Sequence, residues 1–463
     1  MKNKTIVRFW RGCFGMGVVV SVSCGKDRVI FDFGAPFSPL TEVYDGVVLP
    51  RVKNRVKDAI LIGRIPPVDG VFDQQELEPL PIESFQQSDM NTAILICHLH
   101  LDHMSEIDKV HPSIPVYIGA DGYKLNKILK KLDKETTRDY NPFEYGDTIN
   151  VGNISVKTFF NDHPCAGTSS FLIKTDDQNI LYTGDIRFHG CRYQQAWESI
   201  DQLSKEKIDL LIVDSTTTSP SEFIYDDEIM KQYNVPSRDF LKGEVREQDI
   251  YDFICNSLKD FDGIGVFNQY PRDVEMLKSM NSISNSINRT TVFEPYYGYI
   301  LYKMTGIVPY IYYPDVKDDS AYIVELKNIC PEVTAQQLKQ YPERYILQNS
   351  YRNILALIDL DGAKGKYFHL LGEPLVKDCK EYAIMCNFVE KLKWDFVTFI
   401  NLYSFSHAYP NHLYEVIRTI NPTTVVAVHS KHPEKLNPVN SIQVIPEENK
   451  NYLLENGKLT KMD

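Results

Sequence analysis

AILICHLHLDH, at residues 93–103, joins an apolar run to four potential metal ligands within six residues. The run Ala93 to Cys97 predicts a buried strand. Because side chains alternate along a strand, His98 and His100 should point to the same side and share one metal. A turn after the strand could direct Asp102 and His103 towards a second metal. Crowding these groups at a strand end has little structural benefit without a cation, so the stretch predicts a metal site.

Residues that can bind metals also follow other predicted strands. The strand at 154–160 leads to His163, the one at 180–183 leads through Gly184 to Asp185, and the one at 423–428 leads to His429. Taken singly, each could be a turn or capping residue. Their repetition is the argument, because strand ends at one edge of a sheet are where α/β proteins gather active-site groups. The predicted ligands are His98, His100, Asp102, His103, His163, Asp185 and His429.

Seven ligands suit two metals that share one carboxylate. A set rich in imidazole favours zinc, with manganese or iron as alternatives. Two ions about 3.5–4 Å apart can clamp a phosphoryl group and provide a hydroxide at neutral pH, without a nucleophilic side chain.

The composition bounds the class of protein. A chain of 463 residues, 43% hydrophobic and 24% charged, fits two domains or one domain with a large insert. The net charge of −12 disfavours a broad nucleic-acid-binding surface but leaves room for a local basic groove. Nine cysteines without a CxxC pair predict reduced thiols and a cytoplasmic location. The absence of any run of about 20 apolar residues argues against a membrane helix.

Local patterns predict the elements. Up to residue 62 the chain is β-rich, with a hairpin of strands 18–23 and 29–33 and a further strand at 59–62; residues 63–91 form a loop. Spacing predicts a helix over 120–132. Residues 219–247 are polar and irregular. Helices at 250–258, 272–280 and 379–392 then alternate with strands at 264–267, 291–293, 345–347 and 354–358, which predicts a parallel sheet covered by helices. The last predicted elements are a strand at 396–402, a helix at 411–420 and strands at 442–445 and 451–458.

The His-x-His-x-Asp-His motif, followed by His163 and by Gly184-Asp185, resembles the metallo-β-lactamase fold over most of residues 1–215 and again from about residue 400. Within that superfamily the chain resembles the β-CASP branch of nucleic-acid-processing enzymes, such as ribonuclease J, the pre-mRNA 3′-end-processing endonuclease and Artemis. Three short motifs carry this resemblance: Val213-Asp214-Ser215-Thr216, Ser406-His407-Ala408 and Ala427-Val428-His429-Ser430. The chain departs from the usual motifs at Phe405-Ser406, where Ser-Gly is common, and at Ser430-Lys431, where Gly-Glu is common.

The resemblance implies an α/β fold: a metallo-β-lactamase αββα sandwich of residues 1–218 and 400–463, with an inserted β-CASP α/β domain at 219–399. The insert would lie over the metals and form a groove for a single strand. One metal would be held by His98, His100 and His163, the other by Asp102, His103 and His429, with Asp185 bridging both. The implied catalytic residues are Asp102, His407 and Asp214. His407 would contact the scissile phosphate and protonate the leaving oxygen, oriented by Asp214.

The expected function is a metal-dependent phosphodiesterase that hydrolyses single-stranded RNA or DNA with a hydroxide activated by two divalent metals, most simply zinc. Two alternatives stay open: a hydrolase of small phosphoesters or thioesters on the same fold, and a non-catalytic partner subunit. The choice between RNA and DNA, the choice between endo- and exonucleolytic cutting, and homo-oligomer formation are also left open.

Overall fold

The computed structural model describes residues 3–36, 48–132, 137–218, 245–314, 320–375, 377, 379–399 and 406–462. Most of the predicted polar region at 219–247, the end of the predicted strand at 396–402, and Phe405 lie outside the described residues.

The described residues contain three sheets, with strands numbered in chain order. The strands are β1 (Thr5–Arg11), β2 (Val19–Cys24), β3 (Asp27–Phe31), β4 (Asn91–Leu95), β5 (Val116–Gly119), β6 (Asn141–Phe143), β7 (Thr148–Val151), β8 (Ile154–Phe160), β9 (Ser169–Lys174), β10 (Asn179–Tyr182), β11 (Leu210–Asp214), β12 (Ile264–Gln269), β13 (Thr290–Phe293), β14 (Tyr310–Ile311), β15 (Tyr345–Gln348), β16 (Gly365–Leu370), β17 (Asp395–Thr398), β18 (Thr424–Val428), β19 (Ile442–Gln443), β20 (Lys450–Glu455) and β21 (Lys458–Lys461). The α-helices are Arg55–Leu61, Gln74–Leu77, Leu101–Met104, Ala120–Leu132, Tyr193–Leu203, Glu247–Leu258, Val274–Ser286, Pro295–Thr305, Ala321–Ile329, Ala335–Gln340, Lys380–Lys391 and Pro410–Ile420.

Two sheets form a sandwich. The first has the order β21-β20-β1-β2-β3-β4-β5-β6 and the second the order β19-β18-β11-β10-β9-β8-β7. Apolar side chains from their facing surfaces share one buried cluster, in which the ring of Phe31 lies 5.4 Å from that of Phe171 and 5.3 Å from that of Tyr182. The contact between the two sheets buries the inner face of each sheet, which carries every second residue of its strands.

Helices cover the outer faces of the sandwich. Helices Tyr193–Leu203 and Pro410–Ile420 pack on the second sheet, where Leu211 and Val213 of β11 face them. Helix Ala120–Leu132 packs on the first sheet and has the bounds that the sequence predicts. Strands buried on both faces explain the continuous apolar runs in the sequence. The expected αββα sandwich is therefore confirmed.

The third sheet has the order β14-β13-β15-β12-β16-β17, and all its strand pairs are parallel, as predicted. One of its faces shares a hydrophobic cluster with the outer face of the first sheet, so the two parts of the chain pack directly against each other. Helix Pro295–Thr305 contacts helix Ala120–Leu132 at this junction, where Lys124 Nζ donates to the carbonyl of Met304 at 2.7 Å.

Two predicted strands are wrong. Residues 59–61 are the end of helix Arg55–Leu61, and Ile62 caps it; the helix buries Val56 and Ala59, three positions apart, and exposes Leu61. Residues 354–358 lie in a 3₁₀ segment, Tyr351–Leu360, in which Ile354, Leu357 and Leu360 are buried. In both stretches the buried residues recur every three positions rather than every two, and packing against a sheet face selects the helical period.

Among the described residues, no helix combines the length and the apolar character needed to cross a membrane.

Candidate metal centre

The predicted metal ligands meet at strand ends of both sheets, but the first motif is not itself on a strand. β4 ends at Leu95, and His98 and His100 lie in the loop between β4 and helix Leu101–Met104. The strand predicted to run to Cys97 is therefore two residues too long. The backbone leaves the ladder because the N–H of Cys97 donates to the buried carboxylate of Asp32 at 2.7 Å, and the carbonyl of Cys97 accepts from Ser169 N–H.

The second sheet brings three of the predicted residues to one edge. β10, β11 and β18 are parallel neighbours, so Asp185 after β10, Asp214 at the end of β11 and His429 after β18 lie at the same end of the sheet. Gly184 has a φ of +59°, and a Cβ there would lie 2.8 Å from that of Cys97, so only glycine fits before Asp185. His429 itself has a φ of +58°, a sparsely populated conformation for a side chain of its size and one that is common at functional sites.

The seven predicted ligands form two donor groups that share Asp185. The first contains His98, His100, His163 and Asp185, and the second contains Asp102, His103, Asp185 and His429. Within each group the donor atoms lie within 4.8 Å of one another. The membership matches the two ligand sets that the family resemblance implies.

Asp185 Oδ2 lies at the centre. It is 3.8 Å from His98 Nε2 and 3.6 Å from His163 Nε2 on one side, and 3.2 Å from His103 Nε2 and 3.8 Å from His429 Nε2 on the other. Tetrahedral ligands at about 2.0–2.1 Å from a zinc ion are roughly 3.3 Å apart, which is close to these spacings. The arrangement therefore fits one cation in each group with a shared carboxylate.

Hydrogen bonds at their outer nitrogens orient three of the imidazoles. His103 Nδ1 donates to Asp32 at 2.9 Å, His163 Nδ1 to the carbonyl of Ser406 at 2.7 Å, and His429 Nδ1 to Thr216 Oγ1 at 2.7 Å. An imidazole that donates through its outer nitrogen turns a lone pair inward, as metal-binding histidines do. The buried Nε2 atoms of His98 and His103 have no hydrogen-bond partner among the described residues. A cation would be the missing partner.

Burial and charge set the protonation of these side chains. Burial lowers the pKa of His98 and of His163 well below the usual 6.5, and that of His100 to about 4. Burial acts in the same direction on His103 and His429, but the nearby carboxylates, Asp185 first, raise the pKa of both, that of His429 to about 9. When both imidazoles are neutral, as metal ligands are, the two carboxylates leave the second donor group negative, and this charge attracts a cation.

His407 and Asp214 lie beside the second donor group. His407 Nδ1 donates to Asp214 Oδ2 at 2.8 Å, and its ring lies 5.1 Å from that of His429 and 5.3 Å from that of His163. Burial lowers the pKa of His407, but the charge and hydrogen bond of Asp214 raise it above the usual value. An imidazole held in this way can act as a proton donor through its other nitrogen, Nε2.

Sequence reasoning assigned no role to two residues that orient the predicted ligands. Asp32 is fully buried, with a φ of +61°, and accepts hydrogen bonds from Cys97, His103 and Tyr182. Thr216 accepts from His429 and donates to Asp214 at 2.7 Å. Asp32 directly follows β3, so the signal that marks the other sites, an acidic residue after an apolar strand, was present there as well.

Two arginines connect the region after residue 245 to the loops of this centre. Arg272, which follows β12, donates to the backbone carbonyl of Leu99, between His98 and His100. Arg187, two residues after Asp185, is fully buried and pairs with Glu247 at 3.1 Å. These contacts fix the region after residue 245 to the loops that carry the donors.

Comparison with known proteins agrees with this geometry. Residues 65–240 match the family model described as the beta-lactamase superfamily domain. The chain is similar to proteins of the metallo-β-lactamase superfamily and of its β-CASP branch. It is 22% identical to ribonuclease J of Pyrococcus abyssi (strain GE5 / Orsay) over 284 residues, which are 59% of this chain and 58% of that protein.

Two further relatives match over shorter stretches. The 5′ exonuclease Apollo of Gallus gallus is 30% identical over 125 residues, 27% of this chain and 25% of that protein. Ribonuclease J of Sinorhizobium meliloti (strain Sm2011 / Rm2011 / 2011) is 30% identical over 141 residues, 28% of this chain and 25% of that protein. The chain spans less than two thirds of the length of each of these relatives.

The fold also matches a solved structure over nearly its whole length. A crystal structure of a protein of unknown function from Enterococcus faecalis V583 superposes with a TM-score of 0.78 at 24% identity, covering 97% of this chain and 100% of that one. The superfamily match, the relatives and the donor groups together support a metal-using hydrolase.

Proposed function

We propose that this protein is a metal-dependent phosphodiesterase that hydrolyses single-stranded RNA or DNA. The observation that carries the proposal is the pair of donor groups that share Asp185, with His407 and Asp214 at their edge. The ribonuclease and exonuclease names of the relatives support nucleic acid as the substrate class.

The proposed ligands are His98, His100 and His163 for one ion and Asp102, His103 and His429 for the other, with Asp185 shared. Zinc is the proposed metal because imidazoles dominate the set, with manganese as the alternative. Two divalent cations bound there would polarise a phosphodiester and make water a nucleophile near neutral pH.

The side chains of the protein supply the remaining steps. Asp214 holds His407 Nδ1 at 2.8 Å, so Nε2 is the nitrogen left to meet the substrate. His407 would place its Nε2 proton on the leaving oxygen, which needs one as the P–O bond breaks. Thr216 links Asp214 to His429, so the proton donor and the second donor group share one hydrogen-bonded support.

We further propose that residues 1–218 and 400–463 form the catalytic domain and residues 219–399 the inserted domain. The side chain of His407 is 12% exposed and that of Asp102 is 14% exposed, whereas His98 and His103 are fully buried. Solvent thus reaches the centre on the side of His407 and Asp102. A groove along the insert would deliver a single strand to that opening, and a positive potential there is expected once the cations are included.

The test is cleavage of end-labelled single- and double-stranded RNA and DNA by the metal-loaded full-length chain. We expect cleavage of single strands, loss of cleavage after chelation, and recovery when zinc or manganese is restored. The Asp185→Ala variant is the matched inactive control.

The alternatives give different results in the same assay. Hydrolysis of bis-p-nitrophenyl phosphate without cleavage of any oligonucleotide would favour a hydrolase of small phosphoesters. Metal-loaded protein that cleaves neither would contradict the proposal and favour a non-catalytic partner subunit.

A further inference from the structure

A buried arginine connects two of the loops that carry the proposed metal ligands. Arg187 lies two residues after the shared ligand Asp185, and its side chain is 1% exposed. Its backbone N–H donates to the carbonyl of Asp162 at 2.9 Å, and its Nε lies 3.4 Å from Asp162 Oδ1. Because Asp162 directly precedes His163, Arg187 links the loop of a first-group ligand to the loop of the shared carboxylate.

The same guanidinium also contacts the first helix after residue 245. Its Nη2 donates to Glu247 Oε2 at 3.1 Å, and that oxygen also accepts from the N–H of Cys191 at 3.0 Å. The backbone N–H of Glu247 donates to the carbonyl of His189 at 2.9 Å. Glu247 begins helix Glu247–Leu258, whose buried face packs in one cluster with Phe267 of the third sheet. The guanidinium therefore has one carboxylate partner on each side of the junction.

Charge and close packing hold this guanidinium in place. Burial lowers the pKa of Arg187, but the charges of three carboxylates raise it above its usual range, so the group stays a cation. The three carboxylates are those of Asp162, Glu247 and Asp273. A Cβ at Gly190 would lie 2.3 Å from Asp162 Oδ2 and 2.5 Å from Arg187 Nε. The loop backbone thus lies directly against the ion pair, and a change in the pair shifts the loop.

We propose that Arg187 is a positioning residue that couples the docking of the third sheet to the geometry of the metal centre. The inference rests on the ligand set of the proposed function. While Glu247 holds the guanidinium, the loops of His163 and Asp185 are fixed at the spacing that a cation needs. Metal binding and docking then favour each other, and linkage requires that each strengthens the other by the same factor.

The first measurement is titration of the metal-free full-length chain with zinc. Glu247→Gln keeps the shape of the side chain but removes the charge that pairs with Arg187. We expect one zinc step to weaken by about tenfold, the lower end of the range for loss of a group that supports metal ligands, because Arg187 acts through the backbone. Arg187→Lys should show a similar loss, since an ammonium group lacks the planar fork that serves two carboxylates at once.

The second measurement is hydrogen exchange of helix Glu247–Leu258 with and without saturating zinc. By linkage, zinc should slow the exchange of its amides by about the same tenfold in the wild type. The effect of zinc should be largely lost in Glu247→Gln and in Arg187→Lys. Helix Lys380–Lys391 packs in the cluster on the other face of the third sheet and is the internal reference, because its exchange should respond less.

Arg289→Met is the matched control for loss of a buried arginine. Arg289 is 4% exposed and donates to the carbonyls of Gly263 and Leu258, at 2.8 Å in each case. Its replacement should lower the free energy of unfolding and leave both zinc steps unchanged. An equal loss of zinc affinity in Arg289→Met would overturn the proposal. Wild-type zinc affinity in Glu247→Gln and Arg187→Lys, or full zinc-dependent protection of the helix in them, would also overturn it.

Neither measurement needs a nucleic acid, so the two proposals fail separately. A wild type that binds zinc and shows the coupling, but cleaves no oligonucleotide, would remove the proposed function alone. Cleavage of single strands by a wild type whose helix Glu247–Leu258 does not respond to zinc would remove this inference alone.

Discussion

Replacing Asp32 with Asn tests how the protein orients its second donor group. The carboxylate of Asp32 accepts from four donors: Cys97 N–H at 2.7 Å, Cys97 Sγ at 3.1 Å, His103 Nδ1 at 2.9 Å and Tyr182 Oη at 2.5 Å. An amide has one oxygen and one NH₂ group and cannot serve all four. The backbone N–H of Cys97 cannot turn away, so the amide oxygen stays there and the NH₂ group faces His103.

His103 must then change tautomer. Its Nδ1 would accept from the amide, and its Nε2 would carry a hydrogen towards Asp185, 3.2 Å away, where a lone pair is needed. Loss of such a supporting carboxylate typically costs about 10- to 100-fold in metal affinity. That range corresponds to about 1.4–2.7 kcal/mol.

The assay is titration of metal-free protein with zinc against a chelating indicator. Two binding steps are expected for the wild type, and Asp32→Asn should weaken one of them by the stated factor. Tyr182→Phe is the control, since it removes one donor to Asp32 and keeps the bond to His103; its affinities should stay within about threefold of the wild type. Wild-type affinity in Asp32→Asn, or an equal loss in Tyr182→Phe, would refute the reasoning.

Further variants probe the remaining groups. Asp185→Ala should abolish both metal loading and activity, while circular dichroism should show that the fold is retained. A metal content equal to that of the wild type would show that Asp185 is not a ligand. His407→Ala should keep its metals and lose about 10²- to 10⁴-fold in kcat, the range for a missing general acid; an empty metal centre would show that it is a ligand instead. Burial raises the pKa of Glu294 to about 7 against hydrogen bonds from Asn349, Ser350 and Asn353 that lower it. The neutral form of Glu294 contributes to the free energy of unfolding. This contribution is complete below the unfolded pKa of about 4.3 and is lost as the pH rises through 7, by at most about 1.4 kcal/mol per pH unit. Denaturant unfolding of Glu294→Gln should show a flatter dependence on pH than the wild type between pH 5 and pH 7, and equal slopes would contradict this assignment.

Sequence patterns predicted elements well where one face alone is buried. Helix Ala120–Leu132 shows its apolar residues at helical spacing and has the predicted bounds. Short apolar runs misled, because Ala59–Ile62 and Ile354–Ile358 contain enough β-branched or apolar residues for a strand while packing only every third residue. A run of four or five residues does not distinguish the period of a strand from that of a helix. The surface against which the segment packs then determines its secondary structure.

For the candidate site, the sequence predicted most of the side chains that follow strands. It did not predict the hydrogen bonds that hold these side chains in place. The grouping of His429 with Asp102 joins residues 327 positions apart, and the family resemblance supplied it. Asp32 was overlooked because a single acid after a strand is usually a turn residue. Arg272 carries no motif at all, since its contact with Leu99 arises only from the docking of one sheet beside the histidines of another.

The most direct test of a shared two-metal centre is anomalous X-ray diffraction from crystals of the zinc-loaded chain, measured on both sides of the zinc edge. Two peaks about 3.5–4 Å apart are expected, one among His98, His100 and His163 and the other among Asp102, His103 and His429, with the Asp185 carboxylate between them. Zinc peaks elsewhere, or none at these histidines, would contradict the account.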